Sequence, residues 1–400
     1  MKTIVEINNN NYGSTGNIMM NISAKARENG FNVITACKNS REGSKFIYDN
    51  QIFVGYWLER VISDKLSYIT SNKDYYNYFG TKKFLKQLDR IKPDIIHLHN
   101  IHGTFINVRL LFEYIKKNNI PVVWTLHDNW SFTGQCATYG CDKWKTGCGD
   151  CPKLHNYPSV LYFDKTKSIW QEKRKWFNGL NNMTFVTPSK WLGNLLSDSF
   201  LSNYPKKVIN NGIDLTIFKP IENDIREKYN IDKNTHILLG LAGYWNDSKG
   251  LDVFIKLAKQ LPNNYQIFLI GTNDEIDKLL PDNIISIHHT YDKNELVMFY
   301  SAADLFVNPT REDNFPTVNI EALACGTPVL TFNTGGSPEI IDETCGSVVD
   351  VDDFDTLQEE IKRICETKPY SKQACLKRSK LYDMNERFLD YIKLFNDILS

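Results

Sequence analysis

Short apolar runs alternate along the chain with longer stretches in which apolar residues recur about every three or four positions, the pattern of strand, helix, strand units building a parallel sheet. In the first half, runs at 3–7, 31–36, 94–99, 121–126 and 183–187 read as buried strands. After the first comes Tyr12-Gly13-Ser14-Thr15-Gly16, then a helical pattern with Ile18, Ile22 and Ala26 on one face and Gly30 as its C-cap. The second half begins again with a predicted strand at 236–241, a glycine-bounded turn from Gly243 to Gly250 and an amphipathic helix through Leu261. Further strands are predicted at 265–270, 284–287, 304–308 and 328–332. The class is α/β.

A chain of 400 residues exceeds one ordinary core and implies two domains. The Asn210-Asn211-Gly212 turn, with Pro220 soon after, marks the join. The expected division is 1–207, including a Cys-rich insertion at 132–158, then 208–382, with a last helix in 383–400 packing back on the first domain. Two such halves imply a cleft. Lys plus Arg equals Asp plus Glu at 47 each, so no global field recruits nucleic acid, and an anionic ligand must be met by local groups. No apolar run is long enough to span a bilayer and Met1-Lys2-Thr3-Ile4-Val5 leads straight into a strand, so a cytoplasmic protein is expected. In that compartment nine cysteines are not a disulfide framework.

The most informative stretch runs from Arg311-Glu312-Asp313-Asn314-Phe315-Pro316-Thr317 through Glu321 to Cys325-Gly326-Thr327-Pro328. Acids follow a strand, Pro316 suits the first turn of a helix, and Glu321 lies further along that helix. Carboxylates at such a strand end hold sugar and ribose hydroxyls, while helix N-terminal amides favour phosphate. The stretch resembles the acid-x7-Glu signature of retaining glycosyltransferases of family 4. Thr334-Gly335-Gly336-Ser337-Pro338-Glu339 resembles that family's Gly-Gly-x-x-Glu turn, Asn211-Gly212-Ile213-Asp214 with Phe218 its linker, and Lys249-Gly250 its helix opening.

The resemblance implies two facing Rossmann-like domains, the GT-B architecture, with the active site in the interdomain cleft. It gives Asp313 the first acid position, contacting the transferred sugar, with Glu312 taking that role if the loop bulges. Glu321 would bind ribose hydroxyls. Asn314, Phe315 and Pro316 would form the donor loop, and Lys249 would neutralise the diphosphate. Where the family commonly has an Arg, this chain reads Gly243-Tyr244-Trp245-Asn246, which leaves Lys249 with more of that task or requires help from Arg311 or the first domain. The chain is read as lacking an Asp-x-Asp pair of the kind that holds a divalent ion in the other major glycosyltransferase fold, so transfer without a catalytic metal is expected.

In the first half, Gly13 and Gly16 let backbone approach a diphosphate or acceptor, or form an ordinary turn. His127, at a predicted strand end before Asp128, resembles the family's His near the transferred sugar. His97, His99 and His102 form another polar group, read as half core and half cleft wall, with metal binding as the alternative. Cys136, Cys141, Cys148 and Cys151 suit a structural zinc through the Cys-x-x-Cys knuckle, or are free thiols or a redox-labile pair. This insertion resembles a subgroup from bacterial exopolysaccharide, O-antigen and capsule pathways. That implies a hexose-type transfer from a UDP- or GDP-sugar to an undecaprenyl-diphosphate-linked oligosaccharide, with peripheral contact at the inner membrane face. Tyr56-Trp57-Leu58, Tyr75-Tyr76-Asn77-Tyr78-Phe79 and Lys173-Arg174-Lys175-Trp176 suit an interface, or equally core or solvated helix faces. Two alternatives stay open: a sugar-nucleotide-binding protein without turnover, and a sugar-nucleotide epimerase of the same fold.

Overall fold

Apolar runs flanked by amphipathic helices form two all-parallel sheets in a computed structural model, which describes every residue except 41, 42, 47, 72–74, 156–158, 289 and 291 and the side chain of Ser44. The last three residues of the predicted insertion, 156–158, thus lie outside the described residues. The first sheet comprises β1 (Thr3–Asn8), β2 (Asn32–Lys38), β3 (Gln51–Val54), β4 (Ile95–Leu98), β5 (Val122–Thr125), β6 (Met183–Thr187) and β7 (Lys206–Val208). Its order is β3-β2-β1-β4-β5-β6-β7. The second comprises β8 (His236–Leu241), β9 (Tyr265–Thr272), β10 (Ile284–His288), β11 (Leu305–Asn308), β12 (Val329–Phe332) and β13 (Gly346–Val349), in the order β10-β9-β8-β11-β12-β13.

Both orders run out to one side from the first strand and return on the other, so each sheet has a switch point, between β1 and β4 and between β8 and β11. In open α/β sheets ligands bind outside the strand C-termini at such points. The central strands are apolar on both faces because helices cover both: β4, β5, β11 and β12 are buried throughout. Strands β3, β7 and β13 are absent from the sequence expectation, for a common reason. They lie at sheet edges and are half exposed, and β7 is exposed at all three positions, so none forms an apolar run.

The chain divides into two compact units, Met1–Ile209 with Phe388–Ser400, and Asn210–Arg387. The last helix, Met384–Leu399, contributes most of its length to the first unit, where Phe388, Tyr391, Leu394 and Phe395 are buried. Phe395 meets Phe31 edge-on with centroids 6.1 Å apart, and the Tyr391 hydroxyl accepts from Thr125 Oγ1 at 3.2 Å.

Candidate active site

In the second unit the loops after β8 and β11 lie on either side of the switch point and are tied together. Asn246 caps its own turn by accepting from the Lys249 amide at 3.1 Å. The Ser248 carbonyl accepts from the Arg311 amide at 2.8 Å. Gly250 has φ +77°, and a Cβ there would stand 2.6 Å from Pro309, so only glycine lets the two loops approach this closely. Lys249 Nζ is thereby brought to 2.8 Å from Asp313 Oδ2 and 3.3 Å from the Glu312 carbonyl.

The acid loop is held from its other side by the Gly-Gly turn. Gly335 has φ +56° and its missing Cβ would lie 1.7 Å from the Asp313 carbonyl oxygen. Gly336 N–H donates to that oxygen at 3.3 Å, and Thr334 Oγ1 donates to the Arg311 carbonyl at 2.9 Å. The motif is therefore a backbone cradle for residues 311–313. Asp313 Oδ1 accepts from the Phe315 amide at 3.2 Å, so in this structure that amide serves the loop itself. Pro316 caps the helix Thr317–Ala324, which carries Glu321. Tyr300 donates its hydroxyl to Glu321 Oε2 at 3.0 Å. Burial pushes the Glu321 carboxyl up to about 7, partly opposed by that hydroxyl.

Three sequence expectations change here. Arg311 is engaged elsewhere: its guanidinium is 2.7 Å from both Asp252 and Asp352, so it does not stand in for the missing Arg. Tyr244, at the position of that Arg, is 64% exposed. The chain also does contain Asp-x-Asp pairs, at Asp350–Asp352 and Asp353–Asp355. These have structural work: Asp352 pairs with Arg311, Asp350 accepts from Asn333 at 3.2 Å, and Asp353 caps the helix Phe354–Thr367.

In the first unit, Gly13 and Gly16 lie in the first turn of the helix Gly13–Glu28, which follows β1. His127 follows β5, with Nε2 3.0 Å from His99 Nδ1 and the rings stacked at 5.3 Å. Asp128 pins the turn, one oxygen 2.8 Å from His102 Nε2 and the other accepting from the Trp130 amide at 2.9 Å. His97 and His99 are not divided between core and cleft wall. Residues two apart on a strand share a face, and both are buried. They converge on Glu6 of β1, whose Oε2 is 2.8 Å from His97 Nδ1 and 2.9 Å from His99 Nε2. The two imidazoles hold the Glu6 carboxyl at about 2 despite burial, which acts the other way. Burial lowers His99 to about 4, helped by His97 and opposed by Glu6, and keeps His127 well below the usual histidine range. Glu6 and Tyr300 escape sequence reasoning because each looks like one more position in a strand or helix pattern. A charged residue inside the apolar run Ile4 to Ile7 is the signal that marks Glu6.

Cys136, Cys141, Cys148 and Cys151 are free thiols lining one pocket with Trp144 and Lys143. Among the described residues, the groups of three or more ligand atoms within reach of one ion are Glu6 with His97 and His99, and Asp274 with Asp277 and His288. Of the aromatic segments, Lys173 and Trp176 are core: Lys173 is buried, donating to the Trp130 carbonyl at 2.9 Å, and Trp176 packs on Tyr75 at 5.0 Å. Tyr56–Leu58 differ. The helix Trp57–Thr70 turns Ser63 and Ser67 inward and leaves Trp57, Leu58, Ile62, Leu66 and Ile69 exposed. Phe79, 70% exposed, is brought alongside by its amide donating to Glu59 at 2.8 Å. Leu161 N–H donates to the Tyr68 carbonyl at 2.9 Å, adding exposed Tyr162 and Phe163.

Two doubly wound parallel-sheet units, the second with a lysine, two acids and a glycine cradle at its switch point, define a nucleotide-sugar-handling class of fold. The family described as Glycosyltransferase Family 4 matches residues 15–217, and that described as Glycosyl transferases group 1 matches 221–380. The chain belongs to glycosyltransferase family 4 and is a glycosyltransferase. It is 28% identical over 294 residues, covering 70% of this chain and 69% of the other, to the Escherichia coli (strain K12) protein WcaC, named for glycosyl transfer in colanic acid biosynthesis. Among solved structures it is similar to a sucrose-phosphate synthase from Thermosynechococcus elongatus, with TM-score 0.74, 18% identity and coverage of 100% and 99% of the two chains. It is also similar to Anabaena HepE in complex with UDP, with TM-score 0.71, 14% identity and coverage of 99% and 100%. Both likenesses establish the GT-B fold.

Proposed function

We propose that the protein is a retaining hexosyltransferase of surface-polysaccharide assembly, moving a sugar from a UDP- or GDP-sugar to an undecaprenyl-diphosphate-linked oligosaccharide, without a catalytic metal. The observation that carries this reading is the set Lys249, Asp313 and Glu321 gathered at the switch point of the second sheet. Lys249 would exchange its pairing with Asp313 for the donor diphosphate, freeing Asp313 for the sugar hydroxyls, with Glu312, Asn314, Phe315 and Pro316 shaping the loop. Glu321 would accept from the ribose diol. His127, with Gly13 and Gly16, would line the acceptor side of the cleft between the units. On this account the acceptor hydroxyl attacks the anomeric carbon on the face the diphosphate leaves. The new C–O bond forms as the phosphate ester bond breaks, and the proton passes to the departing phosphate oxygen. The protein supplies position and charge.

The names of WcaC and of the UDP-bound HepE support polysaccharide assembly and a nucleotide-sugar donor respectively. The exposed apolar face of Trp57–Thr70 supports peripheral contact at the inner face of the membrane, since aromatics flanked by Lys82 and Lys83 suit an anionic lipid surface. No described helix is long and apolar enough to cross a membrane. We read the four cysteines as a structural zinc site, supported by their lining one pocket. Metal analysis showing no zinc in the purified protein removes that part alone.

The test is a screen of UDP- and GDP-sugars for nucleotide release, with and without lipid-linked acceptor. Release that the acceptor stimulates supports transfer. Tight binding of one donor with no release under any acceptor returns the reading to a binding protein without turnover, and interconversion of the free sugar nucleotide to an epimerase.

A further inference from the structure

Glu6 is a buried carboxylate that the proposed chemistry does not use. Its residue is 0% exposed, and it lies beneath the loop end of β1, beside β4. An ionised carboxylate only accepts hydrogen bonds, so His99 Nε2, 2.9 Å from Glu6 Oε2, carries the hydrogen. His99 is neutral at pH 7, its pKa held near 4, and so has one ring proton, which leaves Nδ1 as a lone pair. That lone pair faces His127 Nε2 at 3.0 Å, and the contact forms only if His127 Nε2 is the donor. His127 is likewise neutral, so its Nδ1 is unprotonated.

We infer that Glu6, acting through His99, fixes the proton of His127 on Nε2 and thereby presents His127 Nδ1 as a hydrogen-bond acceptor for a substrate hydroxyl. The substrate part rests on the glycosyl-transfer reading; the proton placement does not. Glu6 and His99 are positioning residues.

The surroundings fit a device that holds orientation. The His99 carbonyl accepts from the Trp124 indole at 3.0 Å, and its amide donates to Ile7 at 2.9 Å, so the ring cannot swing away from Glu6 without breaking the strand end. His97, the second imidazole on Glu6, uses Nε2 on Thr125 Oγ1 at 2.8 Å, and Thr125 donates to Tyr391 of the last helix. The other titratable groups around the relay are Cys37, whose thiol is raised by burial and by Glu6, and His102 with its partner Asp128. None of these interrupts the line from Glu6 to His127.

The experiment is a two-bond proton–nitrogen correlation spectrum of the full chain with ¹⁵N-labelled histidine at pH 7.5, His127 being assigned from the signal lost in His127→Gln. The spectrum is recorded without substrate, so a protein that transferred no sugar would still report the tautomer. The expected result is His127 protonated on Nε2 and bare on Nδ1. In Glu6→Gln the amide can donate to His99 Nε2, so the protons of His99 and His127 shift to Nδ1 in a detectable fraction of molecules. Wild-type His127 carrying its proton on Nδ1, or His99 with neither nitrogen protonated as in a metal-bound ring, overturns the proposal. An unchanged His127 tautomer in a folded Glu6→Gln protein also overturns it. If that variant fails to fold, the wild-type spectrum alone decides.

Discussion

Glu321→Gln should make the second unit more stable while removing its activity. The wild-type carboxyl is pushed from 4.5 up to about 7 by burial. A carboxyl that binds its proton more tightly when folded favours folding as pH falls through that interval and opposes it above. At pH 8 the ionised folded form therefore bears a penalty of at most about 3 kcal/mol, reduced because part of the residue meets solvent. Glutamine keeps the volume, retains an oxygen to accept from Tyr300 and has no charge to desolvate. The expected gain is about 1–3 kcal/mol at pH 8, shrinking toward zero by pH 5. Trp245 is the one tryptophan in Asn210–Arg387, so urea unfolding followed by the ¹⁹F signal of 5-fluorotryptophan at that position reports this unit. No gain at pH 8, or a gain equal at both pH values, would falsify the argument. Loss of transfer by the same variant would show that the strain at Glu321 serves the substrate.

Gly335→Ala should displace the acid loop, costing about 1–3 kcal/mol from its positive φ alone and lowering kcat/KM on the order of 100-fold. Gly243→Ala, with nothing within 4 Å of its added Cβ, is the control that should leave activity unchanged. Lys249→Met should weaken binding of a nucleoside diphosphate about 10- to 100-fold by calorimetry, the loss of one charge-assisted contact; unaltered affinity would take Lys249 out of the site. Replacing Trp57, Ile62 and Leu66 together by Ser should lower co-sedimentation with anionic vesicles at least about tenfold while solution stability holds, since these side chains lie outside the core. The first unit should lose stability as pH falls from 6.5 toward 4, because His99, depressed to about 4, is more readily protonated when unfolded; Glu6, depressed to about 2, extends the loss below 4.5. Tryptophan fluorescence of the first unit that is insensitive to acid over this range would contradict the buried network.

Central strands are legible in the sequence because burial on both faces forces a continuous apolar run, as at 183–187 and 236–241, where expectation and structure share the same bounds. Edge strands are not, since Lys206–Val208 holds its place through backbone pairing with β6 and no side-chain pattern. The motif residues could be named in advance, but how they bear on one another could not. The Gly335 and Gly250 positions declare themselves only when the strand order folds two distant loops together, and the pairing of Lys249 with Asp313 spans 64 residues. His97 and His99 looked like a surface of mixed character, and what decides their burial is Glu6, 91 and 93 positions away on the neighbouring strand.

The most direct test is the intact mass of a polyprenyl-diphosphate-linked oligosaccharide incubated with a UDP- or GDP-hexose and the purified protein, beside a folded Glu321→Gln control. The account predicts a mass increase of one hexose with the wild type and none with the variant. Equal gain with both proteins, or no gain with any donor that binds, would contradict a transferase whose donor is held by Lys249, Asp313 and Glu321.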